Sequence, residues 1–197
     1  ILRSQELLSA ACEADEAFFL INGTSSGIMA MIMAVCHAHD EIIMPRNCHK
    51  SAINALVLSG AKPIFIKPDY DYNLEIANQP SIEAYIKAMD ENPKAKAIFV
   101  INPTYFGAVL DLRRLVVEAH SRHMIVLVDE AHGAHFGFNQ YGPLSAMECK
   151  ADVSAISLHK TGGSLTQSSA LLRQGDLVSH YELSKALATI NTTSPST

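Results

Sequence analysis

Short apolar runs alternate with longer amphipathic stretches along most of this chain. The runs at 17–21, 41–44, 63–66, 97–101 and 125–128 are rich in Ile, Val and Phe, with apolar residues at successive positions. Strands apolar on both sides predict a parallel sheet covered by helices on both faces. Between them, 27–39, 51–59, 81–89 and 112–122 carry helical periodicity, and Ile1-Leu2-Arg3-Ser4 leads straight into a further helical pattern. Segments 153–157 and 169–172 read as two more strands, whose place and direction in the sheet the pattern leaves open. Asn102-Pro103-Thr104 and Asp69-Tyr70-Asp71 read as turns. There is no internal repeat. Strand–helix alternation with right-handed crossovers gives a doubly wound α/β sheet, in which ligands gather outside the carboxyl ends of the strands. The polar residues just after each strand are therefore the ones that carry chemistry.

Composition narrows the setting. A length of 197 residues suits one domain that buries about two-thirds of its unfolded surface. The net charge is -5, and no basic stripe gathers the 15 Lys and Arg, which argues against a nucleic-acid partner. No apolar run approaches the ~20 residues of a membrane helix, and no signal peptide opens the chain. Cys12, Cys36, Cys48 and Cys149 are scattered without a CxxC pair, which suits reduced thiols in a cytoplasm. The chain starts without Met, and 191–197 closes no element. The expectation is that 1–197 is a piece of a longer protein.

Four segments after strands carry candidate chemistry. Asn22-Gly23-Thr24-Ser25-Ser26-Gly27 sets glycines and hydroxyls where a helix begins, which suits an anion such as phosphate, although plain helix capping reads the same. It lacks the Lys of a P-loop. His49, in Arg46-Asn47-Cys48-His49-Lys50-Ser51, suits a contact with an aromatic ligand, proton transfer, or simple capping. Asp129 closes an apolar strand and stands beside Glu130-Ala131-His132. A buried carboxylate there needs a cationic partner to stay ionised, and a protonated pyridine nitrogen is one. The same DEAH run also fits a helicase, which would need the missing P-loop Lys, and His132 with His135 fits a metal pair without a third ligand. Lys160, in Ser157-Leu158-His159-Lys160-Thr161-Gly162-Gly163, follows another strand, where desolvation would free its amine for covalent chemistry. Their order matters more than any one of them: anion cradle, ring contact, acid and lysine are the parts that pyridoxal 5'-phosphate needs.

In this order the chain resembles the Orn/Lys/Arg decarboxylases, the bacterial basic amino-acid decarboxylases of the aspartate-aminotransferase-like fold. The resemblance rests on FFLINGTSSG (18–27), PRNCHKS (45–51), NPTYFG (102–107), VLVDEAHGAHFGF (126–138), SLHKTGGSLTQSS (157–169) and TTSPS (192–196). It implies a major domain over 1–197 that binds pyridoxal 5'-phosphate. An N-terminal segment and a C-terminal domain would belong to the rest of the parent protein, so the piece alone would have little or no activity. It also implies that Lys160 forms the Schiff base, Asp129 pairs with the pyridine nitrogen and His49 stacks on the ring. Ala131 would pack on the opposite face, and His132 would lie near the phenolic oxygen. Thr24, Ser25, Ser26, Ser157 and His159 would make up the phosphate shell. The implied reaction is decarboxylation of lysine, arginine or ornithine in a cytoplasmic homodimer or larger homo-oligomer. Two alternatives stay open: another reaction of the same cofactor, such as transamination or aldol-type cleavage, and an inactive domain that regulates or binds a partner.

Overall fold

The computed structural model describes residues 1–191, and the TTSPS motif lies outside them. A seven-stranded sheet runs through the molecule in the order β1-β9-β8-β7-β6-β2-β3. Its strands are β1 (Glu16–Leu20), β2 (Glu41–Pro45), β3 (Lys62–Ile66), β6 (Ala97–Ile101), β7 (Ile125–Glu130), β8 (Val153–Ile156) and β9 (Ser169–Arg173). The run from β8 through β7, β6 and β2 to β3 is parallel, whereas β9 is antiparallel to both β8 and β1. That settles what the pattern of 153–157 and 169–172 left open.

The central strands are buried on both faces, as their unbroken apolar composition predicts. Two apolar layers result. One packs Ile98, Val100, Val126 and Val128 against α4 (Ile82–Glu91) and α5 (Leu112–His120). Partly buried Leu8 of α1 (Leu2–Ala11) joins that layer. The other packs Ile42, Phe99 and Leu127 against α2 (Gly23–Val35), α3 (Lys50–Ser59) and α7 (His180–Ile190).

Three differences from the sequence expectations have local causes. Helix α2 begins at Gly23 rather than at 27, so the hydroxyls at 24–26 belong to its first turn and not to a loop. Gly23 has φ +72°, which lets the chain turn sharply out of β1. The turn expected at 69–71 is displaced: Tyr70–Asp71 forms β4 and pairs with β5 (Ile76–Ala77). Asp71 Oδ1 accepts from the backbone N–H groups of Asn73 and Leu74, which moves the reversal two residues on. Helix α7 was not expected, yet its start carried a capping box: Ser179 accepts from Glu182 N at 3.1 Å.

At the amino ends of the strands, Asp152 is 3% exposed and accepts from both Val126 N (2.7 Å) and His120 Nε2 (2.9 Å). The Asp152 hydrogen bond holds the His120 pKa above its ordinary value, against partial burial, which lowers it. A raised histidine pKa contributes stability that is full below the unfolded value and fades as pH rises through the folded one. His120→Ala should therefore cost about 1 kcal/mol near pH 5.5 and less at pH 8, measured by urea unfolding at both.

Candidate active site

A single cavity of about 450 Å³ opens at the carboxyl edge of the parallel strands, a size suited to a cofactor or small ligand. Its walls come from the start of α2 (Asn22–Ser25), the β2–α3 loop (Asn47, His49), the loop after β6 (Thr104–Phe106), the end of β7 (Asp129, Ala131, His132) and the β8–β9 connection. From that connection come Ser157, His159, Lys160 and Gln167. Nine of the ten residues singled out in the sequence thus line one cavity. Ser26 does not, because its hydroxyl donates back to Gly23 O at 2.8 Å.

Asp129 is the electrostatic centre. The carboxyl is 6% exposed, and Ala131 N donates to its Oδ1 at 3.1 Å. Among the described residues Oδ2 has no hydrogen-bond partner. Burial pushes the Asp129 pKa up, and the Ala131 N–H, His49 and Lys160 offset only part of that effect. A further cation or N–H donor would restore the carboxylate. Asn47 adds a second orphan: its Oδ1 is buried without a partner, while its Nδ2 donates to Asn78 O.

Lys160 sits in the one-turn helix α6 (Leu158–Thr161) directly after β8. The side chain is exposed, contrary to the desolvation expected from sequence, because it faces the open cavity and not the core. It is nevertheless fixed, with Nζ 3.1 Å from His132 Nε2. Burial, and secondarily the Lys160 charge, lowers the His132 pKa, so the imidazole is neutral near pH 7 and its Nε2 can accept from the lysine. The His132 ring meets Tyr105 edge-on, at 5.4 Å between centroids and 84° between planes.

His49 performs one of the tasks the sequence left open, capping, and borders the cavity where the others would take place. Its Nδ1 caps α3, accepting from Ser51 N at 3.2 Å, and its ring also borders the cavity. With Nδ1 used as an acceptor, the ring proton of the neutral form sits on Nε2.

The hydroxyls expected to bind an anion are largely committed elsewhere. Thr24 Oγ1 is hydrogen-bonded to Ser157 Oγ and to Ser169 Oγ, the latter at 3.0 Å. These three buried groups tie the start of α2 to the end of β8 and the start of β9. What α2 still offers the cavity is the set of N–H groups its first turn leaves unpaired, together with the Ser25 hydroxyl. His159 Nδ1 lies 2.6 Å from Ser168 O and 3.2 Å from Ser168 N. The shorter contact decides between them: a carbonyl only accepts, so Nδ1 carries the proton. Nε2 of the neutral ring then donates to nothing. Gln167, Tyr105, Phe106 and Asn47 also line the cavity; they lie within the quoted motifs but were given no role, since an amide or aromatic in a loop has no periodic signal.

A family model described as Orn/Lys/Arg decarboxylase, major domain, matches residues 1–197. Arginine decarboxylase of Bacillus subtilis (strain 168) is 50% identical over 196 residues, covering 100% of this chain and 40% of that protein. Among solved structures, lysine decarboxylase A from Pseudomonas aeruginosa superposes with a TM-score of 0.84 at 23% identity, covering 98% of this chain and 29% of that one. Ureidoglycine-glyoxylate aminotransferase from Bacillus subtilis superposes with a TM-score of 0.72 at 13% identity, covering 96% and 46%. These two likenesses concern the fold. The chain spans about 40% of the length of the arginine decarboxylase it matches.

Proposed function

The chain belongs to the Orn/Lys/Arg decarboxylase family, and on that premise we propose that it binds pyridoxal 5'-phosphate at Lys160 and forms the core of an enzyme that removes the α-carboxyl of a basic amino acid. One observation carries the reading: the Lys160 amine, the buried Asp129 carboxyl and the amino end of α2 border the same cavity. The donor set fits the group. The unpaired N–H groups of α2 suit its phosphate, the Asp129 carboxyl lacks the cation a pyridinium would provide, and the amine suits its aldehyde. Relatives at half identity bear the name arginine decarboxylase, which favours arginine over lysine or ornithine.

Bound there, the cofactor supplies a sink for the electron pair released when the Cα–carboxylate bond breaks. The residues do the rest. Asp129 holds a proton on the ring nitrogen, and its own burial makes that pairing strong. Neutral His132 accepts a hydrogen bond from Lys160 Nζ at 3.1 Å and holds the amine towards the cavity, and the proton that Lys160 sheds before it can attack a carbonyl would pass to solvent. His49, fixed by its cap bond, packs against the ring and limits tilting. Lys160, which borders the cavity, would also be placed to return a proton to Cα.

The test is carbon dioxide release by the full-length parent protein from arginine, lysine and ornithine in turn. Release from none of the three would reject the reading. In the same assay Asp129→Asn, which keeps the shape and removes the charge, should leave the cofactor attached while turnover falls by about 10²–10³-fold. Undiminished turnover would refute the role given to Asp129.

A further inference from the structure

The cavity contains a donor that the decarboxylase reading does not use. We propose that Gln167 is a further anion-binding residue, its amide N–H donating to the phosphate held over the start of α2; this rests on the cofactor reading above. Its position supports the assignment. A β-carbon added at Gly23 would lie 3.2 Å from Gln167 Nε2, so the amide packs directly against the first residue of α2. Gln167 lines the cavity beside Gly23, Thr24 and Ser25. Among the described residues no hydrogen bond engages its side chain, leaving both N–H groups available to a ligand.

The backbone that carries it is anchored. On its carboxyl side, Ser168 O accepts from both the backbone N–H and Nδ1 of His159, at 3.2 and 2.6 Å. The next residue, Ser169, opens β9 opposite Leu20 of β1 and bonds Thr24 through its hydroxyl. On the other side, Ser164 Oγ donates to Thr166 O at 2.9 Å. A backbone held in this way keeps the side chain at the mouth of the cavity beside Gly23.

The remaining donors make the role needed. A phosphate brings three oxygens with several lone pairs each. Thr24, Ser157 and Ser26 have spent their hydroxyls within the protein, and His159 has turned its Nδ1 to Ser168 O. The N–H groups of α2 and the Ser25 hydroxyl approach from one side only. Gln167 comes from the opposite strand connection and carries a donor that does not depend on pH. The contact at Gly23 also means that any side chain there would displace the amide, in addition to the strain of φ +72°.

The test is equilibrium binding of pyridoxal 5'-phosphate and of pyridoxal, which lacks the phosphate, to the apo form of the full-length protein. Gln167→Ala should weaken the phosphorylated ligand about 10- to 100-fold, the range for one hydrogen bond to a charged acceptor, and leave pyridoxal unchanged. Gln167→Glu keeps the shape, places a carboxylate against the phosphate, and should weaken that ligand further while again sparing pyridoxal. Wild-type affinity for the phosphorylated ligand in both variants overturns the proposal, as does an equal loss for both ligands, which would mark a merely structural role. If wild-type protein binds neither ligand, the cofactor reading itself falls and takes this one with it.

Discussion

Lys160→Ala in the full-length protein should abolish covalent attachment of pyridoxal 5'-phosphate. Borohydride reduction followed by mass spectrometry should find the cofactor on the peptide containing residue 160 in wild type and on no peptide in the variant. Turnover should fall by at least about 10²–10⁴-fold, the contribution of a positioned proton-transfer group, because the amine is assigned both attachment and proton return. The substitution is safe for the fold. Lys160 is exposed, its side-chain hydrogen bond among the described residues is the 3.1 Å one to His132, and α6 is closed by backbone bonds such as Gly162 N to Leu158 O. Losing the lysine also removes the nearby positive charge that helps depress the His132 pKa, so that pKa should rise part of the way back, with burial still holding it down. A cofactor adduct that persists on another lysine at wild-type yield would refute the assignment of Lys160.

The largest effect on stability should come from the neighbour of Asp129. Glu130 is 1% exposed and points to the other side of the sheet, where Ala146 N donates to Oε1 at 2.8 Å and Ser154 Oγ to Oε2 at 2.9 Å. Burial, only partly offset by these two bonds, pushes its pKa up to about 8. For an acid whose folded pKa is raised, the unfolded chain releases its proton first. Stability therefore falls as pH climbs from the unfolded value towards 8, by up to about 1.4 kcal/mol per pH unit. Glu130→Gln keeps an acceptor for Ala146 N, turns an N–H towards Ser154 Oγ, which must then accept instead of donate, and should flatten that slope. Glu130→Ala leaves both partners without a hydrogen bond and opens a cavity, costing about 3 kcal/mol or more near pH 5.5, a cost that shrinks towards pH 8 as the wild type loses stability. Urea unfolding near pH 5.5 and pH 8 separates the three proteins. A wild-type slope that matches the Gln variant would show that Glu130 does not titrate in this range.

Much of the site was legible because its parts fall where strands end. Asp129 and Lys160 each follow an apolar run, and a parallel sheet brings such ends to one edge, so their meeting could be inferred without coordinates. The roles of the hydroxyls could not. Thr24 and Ser157 were both expected to bind an anion, and only tertiary placement shows Thr24 bonded to Ser157 and to Ser169 instead. Ser26 likewise satisfies its own turn. Gln167 was invisible for a different reason: seven residues past the lysine, in a loop with no periodicity, it matters only because the chain doubles back over Gly23. In the fold, β2, β3, β6 and β7 were readable as parallel strands from composition, whereas the direction of β8 was left open and the antiparallel direction of β9 depends on the reach of the 162–168 loop, which pattern alone does not encode.

The pairing of β1 with β9 also constrains how the protein is made. Glu16 sits opposite Arg173 in that ladder, and their side chains form an ion pair. Strand β1 therefore has no neighbour in the sheet until β9 has followed it from the ribosome. The amino end of α2, which hangs from β1 and is tied down by Ser157 and Ser169, cannot take its final shape any earlier. Ligand capture is thus reserved for chains whose synthesis has passed β9, and a nascent chain stalled before that strand should be unable to retain the cofactor.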